Sequence, residues 1–115
     1  MVGQFIKSDT GAQLGLIKQL YFGQLPFFKT YQEMVKRALL KEDNTLYRLG
    51  YKTGKAVAAN GHAIGWVVGW IEENNHANFF VLNIESEKTD SDLESVGVTM
   101  VKDILKEQGF FQGNR

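Results

Sequence analysis

The feature that most constrains this chain is a pair of short apolar runs joined by a polar turn. Gly65-Trp66-Val67-Val68-Gly69-Trp70-Ile71 is too short to span a membrane and is rich in residue types that favour strands. Glu72-Glu73-Asn74-Asn75-His76 then supplies turn chemistry, and Asn78-Phe79-Phe80-Val81-Leu82-Asn83-Ile84 resumes the strand pattern. Upstream, residues 45–53 alternate, with Leu46, Arg48 and Gly50 set against Tyr47, Leu49 and Tyr51. At the end of that strand Lys52-Thr53-Gly54 opens into a loop of small residues, and Asn60-Gly61 is a turn signal before the next run. Three consecutive strands with tight connections predict an antiparallel meander, with any chemistry along its first strand.

Helical spacing flanks this meander. Thr10 and Gln13 have the capping-box separation, Leu16 with Leu20 and Ile17 with Tyr21 form one apolar face, and Gly23 suits the exit. Pro26 ends that segment. Thr30 and Glu33 repeat the capping spacing before a second helix whose Met34, Val35, Ala38 and Leu39 predict a stripe facing the core. Ser91 and Glu94 give a third such box, and Leu93, Val96, Met100, Val101 and Ile104 line a last helix that Gly109 stops. The first nine residues have no clear period. The predicted order is α-α-β-β-β-α, an α+β fold with the C-terminal helix packed on the meander and two helices preceding it.

With 115 residues the chain is one domain. Its 13 basic and 13 acidic residues balance, and no basic block interleaved with aromatics marks a nucleic-acid surface. There is no cysteine, which excludes a thiol nucleophile, disulfides and thiolate metal sites. The N-terminal residues lack the form of a secretory signal, so compartment is not legible. No cofactor, metal site, membrane span or nucleic-acid partner is expected.

Lys52-Thr53-Gly54 on a strand, followed by Gly65-Trp66 and Gly69-Trp70 with Glu72, and then by Phe79-Phe80 and Asn83-Ile84, resembles the C-terminal half of the penicillin-recognising serine enzymes. The subgroup it is similar to comprises the class D β-lactamases and the related β-lactam sensor domains. The likeness extends upstream through Leu16 to Tyr21, Leu25-Pro26 and Gln32 to Arg37, and downstream through Met100 to Glu107. It implies a single, partial β-lactamase-like domain over residues 1–115. It also implies substrate-binding roles for Lys52, Thr53 and Gly54: the ammonium lies beside a nucleophilic serine, while the threonine and the strand backbone hold the substrate's carboxylate and amide.

No catalytic residue is assigned. The family's nucleophile and its activating base form Ser-x-x-Lys, yet Gly11, Thr89, Glu94 and Val98 stand three residues after Ser8, Ser86, Ser91 and Ser95. The family's second serine motif and its Tyr-Gly-Asn motif are absent too, as expected if they lay upstream of residue 1. Lys55 stands where the family usually has a hydroxyl or aromatic residue, and the arginine of its last helix falls by an ungapped reading at Gly97. The expectation is a fragment that carries the substrate-binding strand and is not catalytic alone, with a β-lactam as the possible ligand. The alternative is a free-standing structural or interaction module, homodimeric and without β-lactam binding.

Blander readings accompany each remaining candidate. Asp9-Thr10-Gly11-Ala12 matches the aspartic-protease triplet, but Thr10 is already explained as a helix cap. His62 and His76 read as surface histidines, and Glu72-Glu73 as a solvated hairpin end. Trp66 and Trp70, four apart on one sheet face, predict burial against the terminal helix. By the resemblance, the strand over residues 78–84 is paired on its far side with an N-terminal strand missing here. That leaves an edge suited to homodimer formation unless residues 1–9 fold back onto it.

Overall fold

Two long strands, Ala63–Glu73 and His76–Ser86, pair in register from Ala63 opposite Ser86 to Glu73 opposite His76. Asn74 and Asn75, both at positive φ, close the two-residue turn between them, as a type I′ hairpin requires. These are β4 and β5 of a computed structural model that describes residues 4–5, 10–26, 28–87 and 92–114, with only the backbone of 4–5 and 10–12. The other elements are β1 (Gln4–Phe5), α1 (Thr10–Tyr21), α2 (Lys29–Leu39), β2 (Leu40–Asp43), β3 (Arg48–Val57) and α3 (Leu93–Glu107).

The fold is α+β as the sequence predicts, and the meander β3-β4-β5 extends on both sides into an antiparallel sheet ordered β1-β5-β4-β3-β2. β2 escapes a pattern reading because Leu-Lys-Glu-Asp carries too few apolar residues; charged residues suit an edge strand. It follows α2 without a loop and turns into β3 through Asn44, whose Oδ1 accepts from the Leu46 and Tyr47 amides at 2.8 and 3.0 Å. β1 is the folding-back that the sequence left open: Gln4 pairs Glu85 and Phe5 pairs Ile84, so the expected bare edge of β5 is covered at that end.

β3 differs from expectation at both ends. Thr45 lies before it, and the strand continues through Lys52-Thr53-Gly54 to Val57, so the motif sits within the strand and not at its exit. Ten consecutive pairs with β4, from Arg48 opposite Glu72 to Val57 opposite Ala63, carry the strand past the motif.

The sheet has two faces of unlike character. On one, α3 seals a core of Leu49, Val67, Ile71, Leu82 and Ile84 with Leu93, Val101 and Leu105. Gly97 is buried here, and a Cβ on it would stand 2.8 Å from Val67 Cγ2, so this position packs the helix on the sheet and does not face a ligand. On the other face Ile17 and Leu20 of α1 bury Trp70. The tryptophans therefore lie opposite α3 and not against it, because the strand pleat gives Val67 and Ile71 to that helix.

Three further expectations are corrected. The α2 stripe is not core: Met34 is 61% and Val35 48% exposed, and the buried residue of that helix is Gln32, whose amide exchanges two 3.0 Å bonds with the Leu25 backbone. Thr30 does not cap α2; the N-cap is Phe28, without a side-chain bond. Glu72-Glu73 is not a solvated end, since Glu73 is only 2% exposed and accepts from the Phe111 amide at 2.6 Å. Glu72 accepts the Tyr21 hydroxyl on the opposite face. At α3 the cap is Asp92, accepting from the Ser95 amide at 3.2 Å; Ser91 lies outside the described residues, as do Asp9 and the Thr10 side chain of the protease-like triplet.

Lys102 ties α3 to β2 through Glu42 at 2.5 Å, and the Tyr47 hydroxyl donates to the same carboxylate. The Lys102 ammonium, followed by the Tyr47 hydroxyl, holds the Glu42 carboxyl below its ordinary value of 4.5. A depressed carboxyl contributes stability that is complete above the unfolded value and is lost as pH falls through the folded one. Urea unfolding followed between pH 6 and pH 3 should therefore show a loss that Glu42→Gln removes. Partial exposure and salt screening limit it to less than about 1 kcal/mol.

Candidate substrate-binding site

The site is built on the part of β3 that β2 leaves uncovered. Among the described residues β2 pairs only with Arg48, Leu49 and Gly50, so from Tyr51 onward that edge of β3 is open. The pleat divides the motif: Lys52 shares a face with Gly50 and Gly54, and Thr53 shares the α3 face with Tyr51.

Lys52 lies opposite Val68, between two glycine-tryptophan pairs. Gly50 faces Trp70 and Gly54 faces Trp66, and each indole covers its glycine so closely that a Cβ would stand 2.3 Å from Trp70 Cζ2 or 2.2 Å from Trp66 Cζ2. The glycine of the motif is thus required by the ring across the strand. Lys52 is exposed, and among the described residues no carboxylate pairs with it. It borders a cavity of about 570 Å³ on its own face, whose walls include Leu16, Ile17, Val35, Leu39 and Trp66.

Thr53 donates its hydroxyl to Glu94 Oε2 at 2.7 Å. The groove around it, about 460 Å³, is lined by Lys41, Tyr51, Lys52, Thr53, Glu94 and Ser95 among others. Lys41 Nζ stands 5.7 Å from the centre of the Tyr51 ring. Two cations and one carboxylate therefore border a single groove, an arrangement that suits an anion at the Lys52 end and disfavours one beside Glu94. Ser95 is the one described serine in the groove, and no hydrogen bond joins its hydroxyl to either lysine among the described residues.

Lys41 and Glu94 were not legible as site residues, because a separation of 41 positions between Thr53 and Glu94 leaves no local signal. Gly97 contributes nothing to the groove, and α3 contains no arginine. His76 is exposed, as expected of a surface histidine, whereas half-buried His62 has Glu85 Oε1 3.4 Å from its Nδ1. Among the described residues no cluster of three or more metal-ligating side chains forms, and no helix is long and apolar enough to cross a membrane.

A sheet whose Lys-Thr-Gly strand is open beyond its short pairing with β2, backed by a C-terminal helix, has the layout that the resemblance to the penicillin-recognising serine enzymes implies. Residues 3–106 match the penicillin binding protein transpeptidase domain, and the chain belongs to that family. It is 29% identical over 103 residues to β-lactamase OXA-48 of Klebsiella pneumoniae, covering 90% of this chain and 38% of that protein. It is 33% identical over 93 residues to the probable β-lactamase YbxI of Bacillus subtilis, covering 81% and 32%. The crystal structure of FUS-1 (OXA-85), a class D β-lactamase from Fusobacterium nucleatum, superposes with a TM-score of 0.78 at 29% identity, over 90% of this chain and 42% of that one. The chain thus spans about two fifths or less of the relatives' length, matching their C-terminal part.

Gly54→Ala should force the Trp66 indole off the strand, destabilising the fold by about 1–3 kcal/mol and shifting tryptophan emission. Gly15→Ala, where no atom stands within 4 Å of the new Cβ, should instead be neutral or stabilising by up to about 1 kcal/mol from helix propensity. Thermal unfolding read by fluorescence checks both.

Proposed function

We propose that this chain is the substrate-holding part of a β-lactam-recognising serine domain, with Lys52, Thr53 and Gly54 as one wall of the binding groove and no nucleophile of its own. The observation that carries the reading is the placement of Lys52. It is an exposed cation on the uncovered stretch of β3, without a carboxylate partner among the described residues and beside an open groove. A fixed ammonium there offers charge where a substrate carboxylate binds or an oxyanion develops. The open edge supplies backbone donors and acceptors for an amide. Covalent acyl transfer needs an activated nucleophile, and no serine of the chain has a lysine three residues on.

A second reading has its own support. The Thr53 hydroxyl is already given to Glu94, which puts a carboxylate where an anion would be held. That favours a free-standing, homodimeric interaction module that does not take β-lactams.

Fluorescent penicillin binding followed by polarisation separates the two. The first reading expects saturable binding that Lys52→Ala weakens about tenfold, the cost of losing one charge-assisted hydrogen bond, and that Glu94→Gln tightens. No binding, with a dimer mass by light scattering, supports the second. Incubation of micromolar protein with a chromogenic cephalosporin should give no turnover; saturable hydrolysis abolished by Lys52→Ala would overturn the non-catalytic assignment.

A further inference from the structure

The groove along the open part of β3 carries opposite charges at its two ends. β2 meets β3 with one residue too many: Leu40 stands opposite Gly50 and Glu42 opposite Leu49, so Lys41 is a bulge. A bulge breaks the regular pleat and re-aims the side chain of the extra residue. Lys41 accordingly reaches over Tyr51, its Nζ 5.7 Å from the ring centre, and lines the groove with Lys52. At the other end stands Glu94, in the first turn of α3, half-buried and with Oε2 accepting from the Thr53 hydroxyl at 2.7 Å. Among the described residues no ion pair joins Glu94 to a cation, and none joins Lys41 or Lys52 to a carboxylate.

Two physical points define the ligand that fits. The first is hydrogen-bonding capacity. Thr53 occupies one acceptor position of a carboxylate that has several, so an ammonium can bond Glu94 and leave the Thr53 bond intact. A ligand carboxylate at the same place has to displace Glu94 or meet its repulsion. The second is spacing. A strand rise of about 3.3 Å per residue sets Tyr51, under Lys41, about 7 Å from Thr53, beside Glu94. An extended dipeptide spans about the same length. From Tyr51 onward β2 leaves this edge of β3 uncovered, and its free backbone groups can bond the amide between the two charges.

We infer that Glu94 is the specificity-determining residue of this groove, and that it selects a zwitterion whose protonated amine lies about two residues' length from its carboxylate. The amine sits on Glu94 and the Thr53 oxygen, and the carboxylate sits between Lys41 and Lys52. A ligand with one charge satisfies one end and leaves the other unpaired. The inference rests on the substrate-groove reading above and adds the second charge that the ligand must bring.

The test titrates the chain at low salt with three achiral ligands, followed by the backbone amide NMR signals of Tyr51 to Gly54. These are glycylglycine, N-acetyl-glycylglycine, which lacks the ammonium, and glycylglycinamide, which lacks the carboxylate. Glycylglycine should bind about three- to fivefold more tightly than either, the gain that one partly exposed ion pair gives. Glu94→Gln should abolish the advantage over the acetylated ligand and keep the advantage over the amide. Lys41→Ala with Lys52→Ala should do the reverse. Melting midpoints check that the variants fold. Raising salt to about 1 M, where the screening length is about 3 Å, should shrink both advantages in the unaltered chain, a readout that needs no variant. The inference is overturned by equal binding of the free and acetylated dipeptides, by an advantage that persists in Glu94→Gln or at high salt, or by no shift with any of the three. Fluorescent penicillin added to the same samples tells the two failures apart. Penicillin bound without an amine preference removes the inference alone, whereas neither penicillin nor dipeptide bound removes the groove reading with it.

Discussion

Everything at the candidate site depends on the register between β3 and β4. That ladder sets Gly50 under Trp70, Gly54 under Trp66 and Lys52 opposite Val68. A slip of one residue with β4 held in place would turn Lys52 into the sealed core and take Gly50 and Gly54 from under the indoles. The large rings lock the register, because the two glycines are the positions on that face of β3 where they fit.

The same pleat explains why one face of the sheet is finished and the other is open. Val67, Ile71, Leu49 and Ile84 give α3 a continuous apolar floor, and Gly97 lets the helix approach Val67 closely. Across the sheet, Trp70 is covered by α1, with Tyr21 edge-on to both Trp70 and Phe79 at 5.6 and 5.4 Å. Trp66 and the α2 stripe lie beyond that cover and line the cavity or face solvent. Lys52 is placed at the border between packed and open surface, where a charge stays hydrated and yet borders a concavity.

The electrostatics of the groove are mixed, and that mixture bears on function. Lys41 and Lys52 favour an anionic ligand, while Glu94 takes the Thr53 hydroxyl and brings a negative charge within hydrogen-bonding reach of the same strand. A ligand carboxylate at Thr53 would have to displace Glu94, whereas one at Lys52 would not. Away from the groove, the Glu42 pairs and the tail that returns through Phe111 to Glu73 hold β2, α3 and the β4–β5 turn together without contributing to the site.

Much of the fold was written in local pattern. Alternation over residues 45–53, the runs that became β4 and β5, and the apolar spacing of α1 and α3 are short-range signals, and an element forms on each of them, with β3 shifted to Arg48–Val57. Lys52-Thr53-Gly54, with its flanking motifs, likewise pointed to the family, since spacing along a strand is preserved in the folded chain. What only the tertiary structure decided were the questions that depend on distant partners. Periodicity shows that Trp66 and Trp70 share a face, but not which helix covers it. It gives α2 an apolar stripe, but a stripe is core only if something packs on it. It makes Glu73 look like turn chemistry, until the returning tail buries it under the Phe111 amide. Thr53 meets Glu94 across 41 positions, and no local preference encodes a contact between residues so far apart in sequence.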